Sequence, residues 1–195
     1  MKEQKQKQNN VIHPLLCTLS ELYNGCTKKI QIVKREQLAE GGDIQEVSKV
    51  LTIAVKPGWK KGTRVVFPKE GDALFGHMPA DIVFAVSEQE EASTPFKRVG
   101  DDLLYTHRIS LADALLGGSL TVQTLDKRVL SIACPEIVHP TYAKVVAGEG
   151  FPVAKSPGKR GNLVVSFDIA FPKYLSMSQR GHLREVLGTG ATSTD

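Results

Sequence analysis

Along most of this chain apolar residues recur at every second position in short runs, and only near the C-terminus does their spacing become helical. Ile30 and Ile32 alternate with Lys29 and Gln31. Leu51, Ile53 and Val55 alternate with Val50, Thr52 and Ala54, and Ile82, Phe84 and Val86 with Val83 and Ala85. A period of two is that of a strand, whose successive side chains leave opposite faces. Several runs are apolar at both parities, so both faces of each sheet must meet apolar material. Two small sheets packed face to face bury one face each, and a leftover apolar face implies a ligand groove. After Phe171-Pro172, "KYLSMSQRGHLREVLG" predicts a helix of at most about three turns, opened by the capping box Ser176-x-x-Gln179 and stopped by Gly188 as a C′ residue. Alone in water so short a helix is marginal. Met177, Leu183, Val186 and Leu187 therefore need a surface to pack on, either the second domain or another copy of the chain.

The strand pattern is written twice. "LSELYNGCTKKIQI" (19–32) aligns with "LADALLGGSLTV" (111–122), "VLTIAV" (50–55) with "VLSIAC" (129–134), "VVFPKEGD" (65–72) with "KVVAGEGF" (144–151), and "ADIVFAV" (80–86) with "GNLVVSF" (161–167). Each copy opens with a helix of about a turn and a half. Thr18-x-x-Glu21 and Ser110-x-x-Asp113 resemble capping boxes, and Gly25 and Gly117 stand where a positive φ ends a helix. The first copy is longer between its first two strands, where "REQLAEGGDIQEVSK" (35–49) reads as a polar hairpin loop. "SEQEEASTPFKRVGDD" (87–102), acidic and poor in apolar residues, reads as a linker. The expected fold is mainly β: two tandem β-sandwich-like domains at 11–87 and 101–172, each with a short helix, followed by a C-terminal helix over 173–188. Residues 1–10 read as a disordered tail or linker.

Composition changes this picture little. The chain has 195 residues, 41% of them apolar, so it can bury a core, and its net charge of +4 favours acidic partners only weakly. No apolar run is long enough to span a bilayer and the start lacks a signal-peptide core, so a cytoplasmic protein without membrane contact is expected. Cys17, Cys26 and Cys134 are isolated and read as small apolar filler rather than a disulfide framework or zinc site.

An enzyme would need convergent reactive groups. The five histidines, at 13, 77, 107, 139 and 182, are scattered, and "AGEGF" (147–151) lacks the Gly-Lys-Ser/Thr ending of a phosphate loop, so it reads as a turn. Neither catalysis nor a cofactor or metal is implied. Lys28 and Lys29, together with Lys60, Lys61 and Arg64, could form an ordinary solvated face or a basic patch. A nucleic-acid-binding β-module using that patch is the alternative function. It would need exposed aromatic stacking platforms, whereas aromatic residues are 6% of the chain and lie mostly on strands that read as buried.

The segments "GCTKKIQI", "LTIAVKPGWKKGTRVVFPKEGD", "PADIVF", "ISLADALLGG" and "GEGFPVAKSPGKRGNLVVSFDIAFP" together resemble the C-terminal peptide-binding region of DnaJ-type (heat shock protein 40) co-chaperones, over about residues 11–187. The absence of Cys-x-x-Cys repeats makes the sequence similar to class B members. No His-Pro-Asp motif of a J domain is found: His13-Pro14 is followed by Leu15 and His139-Pro140 by Thr141. The resemblance therefore implies a non-catalytic fragment that binds polypeptide without stimulating ATP hydrolysis.

It also implies a groove in the first domain that takes unfolded client polypeptides and the acidic Glu-Glu-Val-Asp tail of the seventy-kilodalton heat-shock chaperone. By motif match the basic clamp falls on Lys28 and Lys29, and the apolar lining on Leu15, Ile30, Ile32, Phe67, Ile82 and Phe84. An extended peptide adds a strand to a sheet edge through main-chain hydrogen bonds, which suits a binder of many sequences. In "KPGWKKGTRVVFPKEGD" (56–72), Pro57, Gly58 and Gly62 set a turn, Trp59 anchors it by burial, and the lysines add an attractive field. The C-terminal helix resembles a dimerisation segment, with Met177, Leu183, Val186 and Leu187 as its contact residues and a homodimer as the implied assembly. Nucleic acid is not an expected partner.

Overall fold

The computed structural model describes residues 11–37, 39–89, 91 and 94–188. The expected tail, 1–10, lies outside them. The fold is mainly β, with three short helices, and its elements repeat in order as the sequence does. The first unit runs β1 (Val11–Cys17), α1 (Leu19–Asn24), β2 (Cys26–Glu36), β3 (Gln45–Val55), β4 (Arg64–Phe67) and β5 (Ile82–Glu88). The strand β6 (Phe96–Val99) leads into the second unit: β7 (Asp102–Ser110), α2 (Leu111–Leu116), β8 (Gly118–Gln123), β9 (Val129–Cys134), β10 (Ala143–Val146) and β11 (Leu163–Ala170). The chain's last described element is α3 (Met177–Gly188).

Each unit combines a sheet with a separate antiparallel hairpin. In the first, β1 lies parallel to β5 and β4 antiparallel to it, while β2 pairs with β3; in the second, β7, β11 and β10 repeat that sheet and β8–β9 repeat the hairpin. The repetition extends to side chains. Lys49 pairs with Glu70 at 2.7 Å in the first unit, and their counterparts Arg128 and Glu149 pair at 2.7 Å in the second. One face of each sheet and hairpin is apolar and turned inward, giving a continuous core that includes Leu15, Leu22, Ile53, Phe84, Leu103, Phe151, Leu163 and Val165. Fully burying such a side chain contributes roughly 2 kcal/mol, which is the main force holding sheet to hairpin.

Caps behave as their chemistry requires. At α1 the Thr18 hydroxyl accepts from the Glu21 amide and the Glu21 carboxylate accepts from the Thr18 amide, a complete capping box. At α2 Ser110 also accepts from the Asp113 amide, but aspartate is one methylene too short to reach back. Its carboxylate instead accepts a hydrogen bond from the Ser110 hydroxyl at 2.7 Å. Ser176 and Gln179 complete the box of α3. Gly25 and Gly117 hold positive φ as expected, whereas Gly188 is the last residue of α3 rather than the residue after it.

Two polar stretches are strand where loop or linker is the expectation. The first hairpin is longer than its apolar alternation: β2 and β3 stay paired out to Glu36↔Gln45, so only about half of 35–49 is loop. Its tip is held by Asp72, which accepts from the Arg35 amide and side chain, and by a backbone exchange between Arg35, Gln37 and Ala73. The acidic linker ends in β6, which pairs with Asp102–Tyr105 of β7 and buries Phe96. Four residues are too few to display a period.

The stretch 56–63 joins the units into one body. Gly58 adopts φ +84° and comes so near Pro152 that a Cβ would stand 2.3 Å from its carbonyl oxygen. Trp59 is half-buried against the core. The Arg98 side chain, only 4% exposed, donates to the carbonyls of Gly58, Trp59 and Gly100 and stacks 3.7 Å from the Phe151 ring centre. Lys60 pairs with Asp101. On the other side of the contact Arg160 reaches the Tyr23 hydroxyl and Asp126, and Asn24 donates to the Leu125 carbonyl. Arg98 needs this shell of acceptors because burying an unmatched guanidinium costs several kcal/mol.

Candidate functional site

Among the described residues the first unit presents four strand edges with no strand beside them: those of β1 and β4 in the sheet and those of β2 and β3 in the hairpin. They are not equivalent. Leu16 turns its carbonyl to the open side, where it accepts from Lys28, and Pro14 shares that parity. Of the β1 positions that face the open side, Ile12, Pro14 and Leu16, the central one is thus a proline, which has no N–H to offer an incoming strand. β2 contains no proline over Cys26–Glu36.

On β2 the even-numbered side chains face the core and the odd-numbered ones face solvent, so Lys28 and Lys29 point to opposite faces. Lys29 is exposed. Lys28 is mostly buried; its Nζ lies 2.7 Å from the Glu21 carboxylate and 2.6 Å from the Leu16 carbonyl, tying β2 to α1 and to β1. Burial opposes both charges, but the mutual hydrogen bond outweighs it. Glu21 is held below the ordinary carboxylate range, helped by the Thr18 amide, and Lys28 is pushed above the ordinary ammonium value. The two lysines therefore do not form a single clamp.

The apolar residues divide in the same way. Leu15, Ile32, Ile82 and Phe84 are buried, with Phe84 and Leu15 at 1% exposure, so they belong to the floor of the unit. Ile30 and Phe67 are half-buried, and Phe67 packs edge-on against Phe84 with ring centres 5.8 Å apart. His13 lies 5.8 Å from the same Phe84 ring. Sequence reasoning missed the exposed outer residues Ile12 and Leu16 of β1 and Val33 of β2. The both-parity apolar run "VIHPLLC" was the available signal.

At the far end of the chain α3 buries none of its side chains. Leu183, Val186 and Leu187 line a cleft of about 750 Å³ whose other wall includes Leu111, Leu115, Leu116, Ile137 and Phe171. Met177, 86% exposed, lies outside that lining. The cysteines carry no reactive signature: burial pushes the thiols of Cys17, Cys26 and Cys134 up, away from the reactive thiolate. Among the described residues no helix is long and apolar enough to cross a membrane.

Comparison with known proteins accords with this architecture. The DnaJ C terminal domain family matches residues 11–172. The chain is 40% identical over 177 residues to human DnaJ homolog subfamily B member 5, covering 91% of this chain and 50% of that protein. It is 42% identical over 185 residues to human DnaJ homolog subfamily B member 13 (95% and 58%), and 33% identical over 170 residues to Protein SIS1 of Saccharomyces cerevisiae (86% and 46%). It thus spans about half the length of the curated relatives it matches. With the family match running from β1 through the end of β11, the chain belongs to the DnaJ C terminal domain family.

Proposed function

We propose that this chain is the peptide-binding part of a class B DnaJ co-chaperone, non-catalytic, which takes unfolded polypeptide and the acidic C-terminal tail of the seventy-kilodalton heat-shock chaperone as an added strand in its first domain. With 11–87 and 101–172 as the two domains, the added strand lies along β2. The observation that carries the reading is the contrast between two of the open edges: β1 is interrupted by Pro14, whereas β2, which carries half-buried Ile30, offers an uninterrupted row of backbone groups. Backbone pairing tolerates any sequence, and alternate side chains of the guest fall toward the apolar floor formed by Leu15, Ile32, Ile82 and Phe84. Lys29 supplies the attraction for carboxylates, and Lys28, fixed against Glu21, closes one end of the groove.

Pairing of two chains through α3 completes the reading. Leu183, Val186 and Leu187 present an apolar face that a second copy would cover, with Met177 at its rim. Two weak sites on one client raise avidity without any new contact. The expected setting is the cytoplasm. The test is an amide-shift titration of the isotope-labelled chain with a peptide ending Glu-Glu-Val-Asp. Shifts concentrated on residues 27–33 support strand addition at β2; a saturable footprint centred elsewhere overturns it.

A further inference from the structure

The two units differ at one point of their repeated framework. Lys28 of β2, opposite Ile53, has Leu120 of β8, opposite Ile132, as its counterpart, and Glu21 has Asp113. In the first unit the ammonium of Lys28 fills the space between hairpin, helix and β1 and bonds Glu21 and the Leu16 carbonyl. In the second unit the buried Leu120 cannot do this, and a cavity of about 150 Å³ opens at the equivalent place, lined by His107, Ile109, Asp113, Leu120, Val138 and Phe167 among others. Asp113 keeps one carboxylate oxygen on the Ser110 hydroxyl and, among the described residues, has no lysine or arginine paired with it. By the repeated register the carbonyl matching that of Leu16 belongs to Arg108, on a stretch of β7 beyond the part that β6 covers.

We propose that this cavity is a seat for the lysine side chain of a second polypeptide: an alkylammonium site that the first unit fills with its own Lys28 and the second leaves to a guest. The chemistry matches in three respects. The walls from Ile109, Leu120, Val138 and Phe167 accept a methylene chain, the carboxylate of Asp113 meets the ammonium at the mouth, and β8 has one edge with no strand beside it among the described residues, along which an extended backbone can lie. The site is independent of the acidic-tail groove of the first unit and selects the opposite charge. Where the first unit attracts carboxylates, the second favours segments carrying lysine.

The test uses the isotope-labelled full chain and Nα-acetyl-lysine-N-methylamide, with the norleucine analogue as its uncharged isostere. Expected are saturable shifts at the amides of Gly117, Gly118, Ser119 and Leu120 with the lysine probe, and smaller ones with the analogue. Asp113→Asn, which keeps an acceptor for the Ser110 cap, weakens binding about fivefold, the scale of an exposed ion pair. Leu120→Lys rebuilds the internal ammonium and removes the shifts. Equal binding of the two probes, unaltered binding in Asp113→Asn, or no saturable shift overturns the proposal. If Leu120→Lys does not fold, the probe comparison and Asp113→Asn decide it. Because the readout is confined to the second unit, it stays separate from the fate of the β2 reading.

Discussion

Replacing Lys28 and Lys29 one at a time separates a structural lysine from a binding one. The Lys28 ammonium has two close partners, the Glu21 carboxylate at 2.7 Å and the Leu16 carbonyl at 2.6 Å, and the paired side chains retain 23% and 31% of their exposure. A buried hydrogen bond to a charged group is worth about 1.5–3 kcal/mol. A fully exposed pair is worth about 0–1 kcal/mol. Lys28→Ala, lying between those limits, should cost about 1–2 kcal/mol and lower the melting temperature by roughly 5 °C for a chain of this size. Lys29→Ala touches no such contact and should shift stability by less than about 0.5 kcal/mol. Its effect should fall on the acidic-tail peptide, whose affinity should drop about three- to fivefold at low salt, as one exposed charge allows, and the difference should shrink as salt rises. Calorimetric melting and fluorescence titration of the two variants measure both quantities. Lys28→Met, which keeps the side chain's apolar stem, isolates the charge. Were Lys28→Ala to melt with the wild type while weakening the peptide as much as Lys29→Ala does, the division of labour between the two lysines would be refuted.

Three further outcomes follow from the same geometry. Arg98→Ala leaves three carbonyls without their donor and opens the contact with Phe151, so denaturant unfolding should show a loss of about 3 kcal/mol or more, or two separate transitions in place of one. Stability should also fall in acid. Glu21, Asp72 and Asp126 are held below their ordinary carboxylate values by hydrogen bonds that outweigh the burial opposing their charge, Glu21 by Lys28 and Thr18, Asp72 by Arg35, and Asp126 by Thr124 and Arg128. Groups with depressed folded values stabilise fully above their unfolded values and lose that contribution as pH falls through the folded ones. A series of melts should therefore be flat in this respect near neutrality and decline below about pH 4. Finally, Val186→Asp in α3 should leave the melting of the β units within about 2 °C, since the side chain is 70% exposed, yet abolish the proposed α3 pairing, giving a monomer in sedimentation velocity where the unaltered chain sediments as a dimer.

The repeat was legible because its markers are local and chemical: a hydroxyl-acid cap, a glycine that must take positive φ, and an alternating apolar run appear twice in one order. Strand β6 was not, since its polar context hides Phe96 and a four-residue strand carries no period. Nor was the outer end of the long hairpin, where Arg35 and Glu36 pair through backbone with Glu46 and Gln45 and so leave no apolar trace. The site residues show the sharper limit. Periodicity places Ile32 and Ile82 on apolar faces, but whether such a face ends as floor or lining depends on the sheet packed against it. Likewise the parity of Lys28 and Lys29 could be read from the strand itself, whereas the partner that holds Lys28 lies in another element. The exchange of Lys28 for Leu120 was visible in the aligned copies; its meaning required the cavity.

The tight seating of Gly58 under Pro152, with Arg98 fastening the neighbouring carbonyls, leaves little freedom for a hinge between the halves of the molecule. Each chain then acts as a stiff arm of set length. In a pair joined at the α3 ends, the two receptive edges would be held apart like the jaws of a caliper, so that a client is chosen by the distance between its sticky stretches as well as by what those stretches contain.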